Sequence, residues 1–190
     1  MNIKGNAVVL TNGKFNSKSA KTAHGLIRGS KRFNIKAVID NNFSEKYVHI
    51  DQNGKIDLFD NKSDIPIYSD IHSFLNSSIN VDYCIIGVAS AGGLLPEEMR
   101  EDVIIALKKG ISIVNGLHSI LNEDEELVNI SSQNNTKIYD IRASRPRDEL
   151  SFWSGKIYDV KVPKIVVLGT DCGLGKRTTA KLVVENLEKK

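Results

Sequence analysis

The sequence predicts an α/β fold: a Rossmann-like parallel sheet with helices on both faces, followed by the first strand-loop-helix unit of a second domain. Short β-branched blocks alternate with longer stretches of helical spacing, and the short connections between them are typical of parallel strands covered by helices. Near the C-terminus, one more apolar block leads into a glycine-rich loop. We therefore expect domains at residues 1–150 and 164–190, with a linker at 151–163.

The 190-residue chain has the composition of a soluble globular protein, with 41% hydrophobic and 26% charged residues. No apolar run approaches the roughly 20 residues that a membrane span needs, and the N-terminal apolar block is too short for a signal peptide. Cys84 and Cys172 lie in apolar or glycine-rich stretches and cannot build a disulfide framework. We therefore expect a reduced, cytoplasmic protein with no membrane partner.

The formal net charge of +3 is divided unevenly along the chain. Residues 1–50 carry nine Lys/Arg and two Asp/Glu, residues 51–140 carry six and fifteen, and residues 141–190 carry eleven and six. Proteins that bind nucleic acid usually present one continuous basic face with interleaved aromatic side chains. Here the basic ends flank an acidic middle and aromatic residues make up only 6%. This distribution favours two anion-binding segments and a small-molecule substrate, and it argues against nucleic acid as a partner.

The first half of the chain begins with a strand at residues 6–11, which a turn at Asn12-Gly13 ends. A helix with apolar residues at helical spacing follows over 19–28, and Gly29 stops it. The remaining elements predicted in this half are a strand at 36–40, a hairpin of 47–50 and 55–59 around Asn53-Gly54, a strand at 65–68 and a helix at 69–76.

In the second half of the chain, predicted strands and helices alternate more clearly. A strongly apolar strand at 81–89 ends in the small-residue loop 90–93, and Pro96 followed by two glutamates is typical of a helix start. That helix is expected to end at Gly110. The elements predicted after it are a strand at 111–115, a helix at 118–127 and a strand at 137–142.

Ligands of parallel sheets bind beyond the carboxyl ends of the strands. The residues that follow the predicted strands are therefore candidates for a ligand site, separate from the glycine-rich loop described below. These candidates are Asn12, Gly13, Lys14, Asp40, Ser90, Gly92, Gly93 and Arg142.

Several of these candidates have an equally simple structural explanation. Asp40 stands where a ribose-binding carboxylate sits in dinucleotide folds, but a lone acid there also serves as a helix or turn cap. Lys14 and its neighbours form either an anion site or a solvated turn. The loop at 90–93 either supplies backbone donors or is small for packing. His24 and His118 have no partner at metal-ligand spacing, and we expect hydrogen-bonded structural histidines.

Residues 143–162 interrupt the alternation and read as a linker whose aromatic side chains, including Trp153, pack on a neighbouring surface. Arg142, Arg145 and Arg147 cluster at the start of this segment. They form either a clamp for a carboxylate or phosphate or part of a solvated linker.

The most specific signal is the segment GTDCGLGKRTT at residues 169–179, after a predicted buried strand at 164–169 and before a helix at 175–188. This context aims backbone N–H groups at phosphate oxygens. Lys176 can reach the β- and γ-phosphates of a nucleotide, and Thr178 can hold Mg²⁺. The predicted cofactor-binding residues are Gly169, Thr170, Asp171, Cys172, Gly173, Gly175, Lys176, Arg177, Thr178 and Thr179. The alternative is an ordinary strand-to-helix turn that uses glycines for tightness.

This P-loop NTPase-like segment departs from the usual pattern. Five residues instead of four separate Gly169 from Gly175, and Arg177 stands where a Ser or Thr normally follows the lysine. A P-loop domain needs about 150 residues to bring a second carboxylate to the metal and to enclose the nucleotide base. Only 14 residues follow Lys176. We expect the chain to be a fragment that is inactive alone.

Four segments carry a family resemblance: AKTAHGLIR at 20–28, GVASAGGLLP at 87–96, Asp140-Ile141-Arg142, and GTDCGLGKRTTA at 169–180. Through them nearly the whole chain resembles a two-domain family of formerly unknown function, with a Rossmann-like N-terminal and a P-loop C-terminal domain. Some of its members are D-glutamate N-acetyltransferases. The glycine-rich loop by itself also resembles that of dethiobiotin synthetase and related amidoligase-type enzymes.

The family resemblance implies acetyl-CoA-dependent transfer to the amine of D-glutamate or a similar D-amino acid, with the loop holding phosphates of ATP, of another nucleotide or of coenzyme A. Two alternatives remain open: an ATP-dependent carboxylate–amine ligase of the dethiobiotin synthetase type, and a non-catalytic module that senses a small molecule. No catalytic acid or base is assigned, and no base accompanies Cys172 that would make it a nucleophile. The broad Rossmann-like edge is compatible with a homo-oligomer.

Overall fold

A computed structural model describes residues 3–60, 64–145, 147–171 and 174–189. The chain divides into two compact units, Met1–Ser144 and Arg145–Lys190.

The first unit is built on one eight-stranded sheet with the order β4-β3-β5-β2-β1-β6-β7-β8. Neighbouring strands are parallel except for β3, which is antiparallel to both β4 and β5. The strands are β1 (Gly5–Leu10), β2 (Phe33–Ile39), β3 (Tyr47–Ile50), β4 (Ile56–Phe59), β5 (Ile65–Tyr68), β6 (Tyr83–Ile86), β7 (Ser112–Asn115) and β8 (Ile138–Asp140).

Four α-helices accompany this sheet: α1 (Lys21–Ile27), α2 (Ile71–Leu75), α3 (Glu97–Lys108) and α4 (Glu125–Gln133). Short 3-10 turns precede α1 at Lys18–Ala20, form part of the loop after β6 at Ala91–Gly93, and precede α4 at Leu121–Glu123. The second unit contains 3-10 turns at Arg147–Glu149 and Lys156–Asp159, and helix α5 (Lys176–Leu187).

Apolar side chains are buried on both faces of the sheet, because successive residues of a strand point to opposite sides. Val8 and Leu10 of β1 belong to one core cluster with Met99 of α3. Val9, between them, belongs to the other cluster with Ala23 of α1. The predicted α/β class, with a mostly parallel sheet and helices on both faces, is therefore confirmed.

The predicted helix at residues 118–127 is wrong. The structure has a loop and a 3-10 turn there, and α4 begins only at Glu125. The side chain of Asp124 accepts a hydrogen bond from the backbone N–H of Leu127, which makes Asp124 the N-cap of the helix. Glu125 and Glu126 then occupy the first turn, where negative charge complements the helix dipole.

The buried strand predicted at residues 164–169 does not form in the second unit. Ile165, Val166 and Leu168 are exposed, and no residue of this segment belongs to a sheet. A strand needs a neighbouring strand to pair its backbone groups, and the described part of Arg145–Lys190 contains none. The apolar sequence therefore lacks the partner that would make it a strand. The predicted helix that follows is present as α5.

None of the described helices has the length and apolar character that crossing a membrane requires.

Asp102 of α3 provides a test of the packing between α2 and α3. Burial, together with the negative charges of Asp70 and Glu101, raises the pKa of the Asp102 carboxyl to about 6. A carboxyl whose pKa is higher in the folded than in the unfolded chain destabilises the fold at a pH above both values. This cost disappears as the pH falls through 6 toward the unfolded value of about 4.

We predict that Asp102→Asn raises the free energy of unfolding at pH 8 by about 1–2 kcal/mol, after allowance for solvent screening. The gain should fall steadily below pH 6 and vanish at about pH 3, where Asp102 is protonated in both states. Urea unfolding at several pH values measures this dependence, with Glu123→Gln as the control, because Glu123 is exposed and is not among the charges that raise the Asp102 pKa. A gain that persists unchanged at pH 4 would contradict the prediction.

Candidate functional site

Asp40, directly after β2, holds the loop that follows β1. Its carboxylate is fully buried and accepts hydrogen bonds from Thr11 Oγ1 at 2.7 Å, from the backbone N–H of Phe15 at 2.9 Å and from that of Asn42 at 3.1 Å. These donors, all from the neighbouring loops, meet the hydrogen-bonding requirement of the buried carboxylate. Asp40 therefore has the geometry of the turn-cap alternative rather than that of a ribose ligand.

The neighbouring candidates Asn12, Gly13 and Lys14 are tied into the same loop region. Asn12 and Gly13 have positive φ angles of 45° and 76°, and the carbonyl of Gly13 accepts a hydrogen bond from Asn42 Nδ2 at 2.8 Å. Lys14 Nζ forms an ion pair with Glu98 at 3.2 Å, at the start of α3. Its charge is thus already matched by a carboxylate.

His24 packs beneath this loop as a structural side chain. Its Nε2 lies 2.7 Å from the carbonyl oxygen of Phe15, and its ring meets the Phe15 ring edge-on at a centroid distance of 5.1 Å. Burial lowers the pKa of His24, although the Phe15 carbonyl opposes this shift. The expected structural role agrees with these contacts.

The loop after β6 is held in a tight conformation by its glycines. Gly92 and Gly93 have φ angles of 67° and 71°, in the region that favours glycine. The Ser90 hydroxyl donates to the carbonyl of Leu94 and closes the loop. The Gly93 carbonyl accepts two hydrogen bonds, from the backbone N–H of His118 at 2.9 Å and of Ser119 at 3.0 Å.

Gly93 also sets the position of the His118 side chain. A Cβ atom on Gly93 would overlap the ring and the Cβ of His118. The imidazole therefore lies directly against the glycine backbone, in space that any other residue at position 93 would fill.

A buried network between β7 and β8 holds the loop that carries His118. Asn115 is fully buried, and its Nδ2 donates to Asp140 Oδ1 and to the Ser119 carbonyl, each at 2.7 Å. Asp140 also accepts the backbone N–H groups of Leu121 at 3.0 Å and Asn122 at 2.9 Å. The N–H groups of Asn115 and Leu121 are buried and need such acceptors, so this network fixes the loop.

Arg142 follows Asp140 in a turn closed by a hydrogen bond from the Ala143 N–H to the Asp140 carbonyl at 3.2 Å. Its Nη1 lies 3.1 Å from His118 Nε2. The two side chains meet at a cleft of about 400 Å³, in the range of small-metabolite sites. The lining includes Ser90, Gly92, Gly93, Gly116, His118 and Arg142.

The structure thus divides the eight sequence candidates into two groups. Ser90, Gly92, Gly93 and Arg142 share the cleft, whereas Asn12, Gly13, Lys14 and Asp40 belong to the loop region beyond β1 and β2. Sequence reasoning took His118 for a structural residue, yet it lines the cleft beside Arg142. Its position three residues after the end of β7, at the ligand-binding edge, is the signal that could have identified it.

In the second unit, the described part of the glycine-rich loop leads directly into α5. Gly175 has a φ of 86° and is the N-cap residue, with no side-chain hydrogen bond to the first turn. Lys176 and Arg177 begin the helix, and no acidic residue lies in its first turn. Uncapped N–H groups combined with positive charge fit a bound phosphate. Cys172 and Gly173 lie outside the described residues.

Lys176 lies across this loop. Its Nζ donates to the Asp171 carbonyl at 2.5 Å. A Cβ on Gly169 would come within 3.2 Å of Lys176 Cδ, so the missing side chain at Gly169 leaves room for the lysine stem. Thr170, Thr178 and Thr179 are exposed. No group of three or more His, Cys, Asp or Glu side chains is placed to hold a metal within the described residues.

Comparison with known families finds two domains of unknown function. Residues 51–144 match the Rossmann-like domain DUF1611_N, and residues 151–190 match the P-loop domain DUF1611_C.

Two curated relatives are D-glutamate N-acetyltransferases. The protein from Pseudoalteromonas sp is 35% identical over 96 residues, and that from Tritonibacter scottomollicae is 29% identical over 96 residues. Each match covers 50% of this chain and 28% of the relative, so the chain matches less than a third of their length.

Among solved structures, a DUF1611 family protein from Anabaena variabilis superposes with a TM-score of 0.75 and is 26% identical. The match covers 94% of this chain and 48% of the cyanobacterial protein.

We predict that Gly93→Ala destabilises the fold by about 1 kcal/mol more than Gly110→Ala. Both glycines have a positive φ, of 71° and 81°, but a Cβ on Gly110 meets open space whereas one on Gly93 meets His118. Gly110→Ala therefore controls for backbone strain alone. Thermal unfolding measures the difference, and equal losses in the two variants would show that Gly93 and His118 are not in contact.

Proposed function

Because the chain belongs to the DUF1611 family, we propose that it forms part of an acetyl-CoA-dependent N-acetyltransferase that acts on D-glutamate or a similar D-amino acid. The sequence match to two D-glutamate N-acetyltransferases carries this proposal. The Rossmann-like and P-loop domains, both of kinds that bind nucleotides, support it.

The glycine-rich loop is the proposed holder of the phosphates of coenzyme A or of another nucleotide. The uncapped N–H groups at the start of α5 would face the phosphate oxygens. Lys176 would exchange its hydrogen bond with the Asp171 carbonyl for a phosphate oxygen. Gly175 would allow the backbone to approach a phosphate because it has no side chain, and its φ of 86° lies in the region that favours glycine.

Acetyl-CoA, when bound, would supply a thioester: the C–S bond would break as the acetyl carbon joins the substrate nitrogen, and coenzyme A would leave as the thiol with the proton that the nitrogen loses. In this proposal, the residues of this chain bind acetyl-CoA and orient it. Their positive charge offsets the phosphates, and their backbone donors fix the position of the nucleotide part.

One feature favours a second candidate, an ATP-dependent carboxylate–amine ligase. The five-residue spacing between Gly169 and Gly175 resembles that of dethiobiotin synthetase. In this case Lys176 would contact the β- and γ-phosphates of ATP, and Thr178 would be the residue to hold Mg²⁺.

We predict that Lys176→Ala weakens binding of acetyl-CoA by about 10- to 100-fold, the loss expected for one charge-assisted contact to phosphate. Isothermal titration measures this, with ATP–Mg²⁺ titrated in parallel. Lys181→Ala is the matched control, because Lys181 lies on the same helix and pairs with Glu185 at 3.6 Å. It should change binding less than twofold.

Turnover, measured on a chain extended through the complete P-loop domain, separates the candidates. The transferase produces free coenzyme A and N-acetyl-D-glutamate together, whereas the ligase produces ADP only when a carboxylate substrate is present. ATP–Mg²⁺ binding that Lys176→Ala abolishes, with no binding of acetyl-CoA, would replace the transferase by the ligase. Binding of a ligand without turnover of either kind would support the remaining alternative, a non-catalytic module that senses a small molecule.

A further inference from the structure

Arg142 has no carboxylate partner among the described residues, unlike Arg100. Arg100 of α3 contacts Asp124 at 2.5 Å and Glu126 at 2.6 Å, so its guanidinium is matched by two negative charges. Within the described part of the chain, the Arg142 guanidinium has His118 Nε2 as its hydrogen-bond partner. Its fork of N–H donors is thus available to a carboxylate that enters from outside.

His118 is held as an acceptor. A guanidinium carries only donors, so His118 Nε2, at 3.1 Å from Arg142 Nη1, must accept and carries no proton in this arrangement. The imidazole is therefore neutral, and its acceptor nitrogen points to the same space as the guanidinium.

The surroundings of this pair have little freedom to rearrange. Gly93 packs against the imidazole and its carbonyl binds the N–H groups of His118 and Ser119, while the turn from Asp140 fixes the backbone of Arg142. No carboxylate lines the cleft within the described part of the chain. Such an electropositive cleft attracts an anion of small-metabolite size.

We propose that this cleft binds the amino-acid end of the substrate, with Arg142 pairing to the α-carboxylate and His118 Nε2 accepting a hydrogen bond from the ammonium group. The identification of D-glutamate as the amino acid rests on the proposed function above. The bound carboxylate accepts the hydrogen bonds of Arg142 in place of His118, which leaves His118 Nε2 free. The carboxylate of the amino acid then pairs with Arg142, and its ammonium group donates to His118.

This arrangement distinguishes an amino acid from its N-acetylated form. Acetylation converts the charged ammonium, with three donors, into a neutral amide with one. The contact to His118 therefore weakens, since hydrogen bonds to charged groups are the stronger ones. The cleft should accordingly bind D-glutamate about 10-fold or more tightly than N-acetyl-D-glutamate.

The test is titration of D-glutamate into the protein without acetyl-CoA, followed by nuclear magnetic resonance or calorimetry. We expect Arg142→Gln to weaken binding about 10- to 100-fold and Arg142→Lys to restore part of it. Arg32→Gln is the matched control, because Arg32 is exposed just before β2, at the opposite edge of the sheet, and the variant loses the same charge. Equal thermal midpoints of the variants would show that the fold is intact.

Three results would overturn the proposal: no binding of D-glutamate to the unaltered protein, equal binding by the Arg142→Gln variant, or equal competition by inorganic phosphate, which would indicate an unspecific anion site. Arg142-dependent binding of D-glutamate, with no release of coenzyme A by a chain extended through the complete P-loop domain, would support the cleft assignment and refute the transferase. Coenzyme A release that Arg142→Gln leaves unchanged would support the transferase and refute the cleft assignment.

Discussion

Buried acidic side chains at the ends of parallel strands hold the loops on which the candidate site depends. Asp40 after β2 and Asp140 at the end of β8 each accept several hydrogen bonds from loop N–H groups. A carboxylate can be buried only when such donors replace water, and a loop N–H can be buried only when it finds an acceptor. The buried carboxylate and the loop N–H groups therefore stabilise one another. At Asp40 they hold the loop after β1, and at Asp140 they hold the loop that carries His118, while the turn after Asp140 carries Arg142.

Much of the first unit follows from the sequence alone. The hairpin around Asn53-Gly54 forms between β3 and β4, and the helix predicted after Pro96 begins at Glu97. In both cases local chemistry is decisive: the left-handed φ of Gly54 in the turn, and proline with acidic residues at the helix start. The segments at 118–127 and 164–169 were predicted wrongly because contacts distant in sequence determine them. The contacts of Asp140 keep residues 118–124 in a loop, and residues 164–169 have no neighbouring strand in the described part of the second unit.

The site shows the same division between local and distant information. The glycines at 92 and 93 were recognisable as a loop beside the ligand edge, and Arg142 as a cation after a strand. The relation of His118 to both could not be predicted, because it depends on the parallel pairing of β6, β7 and β8 and on a ring lying against Gly93. Asp40 is a position where the sequence left two roles open, ribose binding and capping. Its carboxylate accepts hydrogen bonds from the Thr11 hydroxyl and from the backbone N–H groups of Phe15 and Asn42, as a cap does.

The two hydrogen bonds that converge on the Gly93 carbonyl join loops from different strands through a single atom. If that peptide unit rotates, His118 and Ser119 lose their acceptor in the same event, because neither N–H has its own. The loops after β6 and β7 are therefore coupled in their local unfolding and open as one cooperative unit rather than independently.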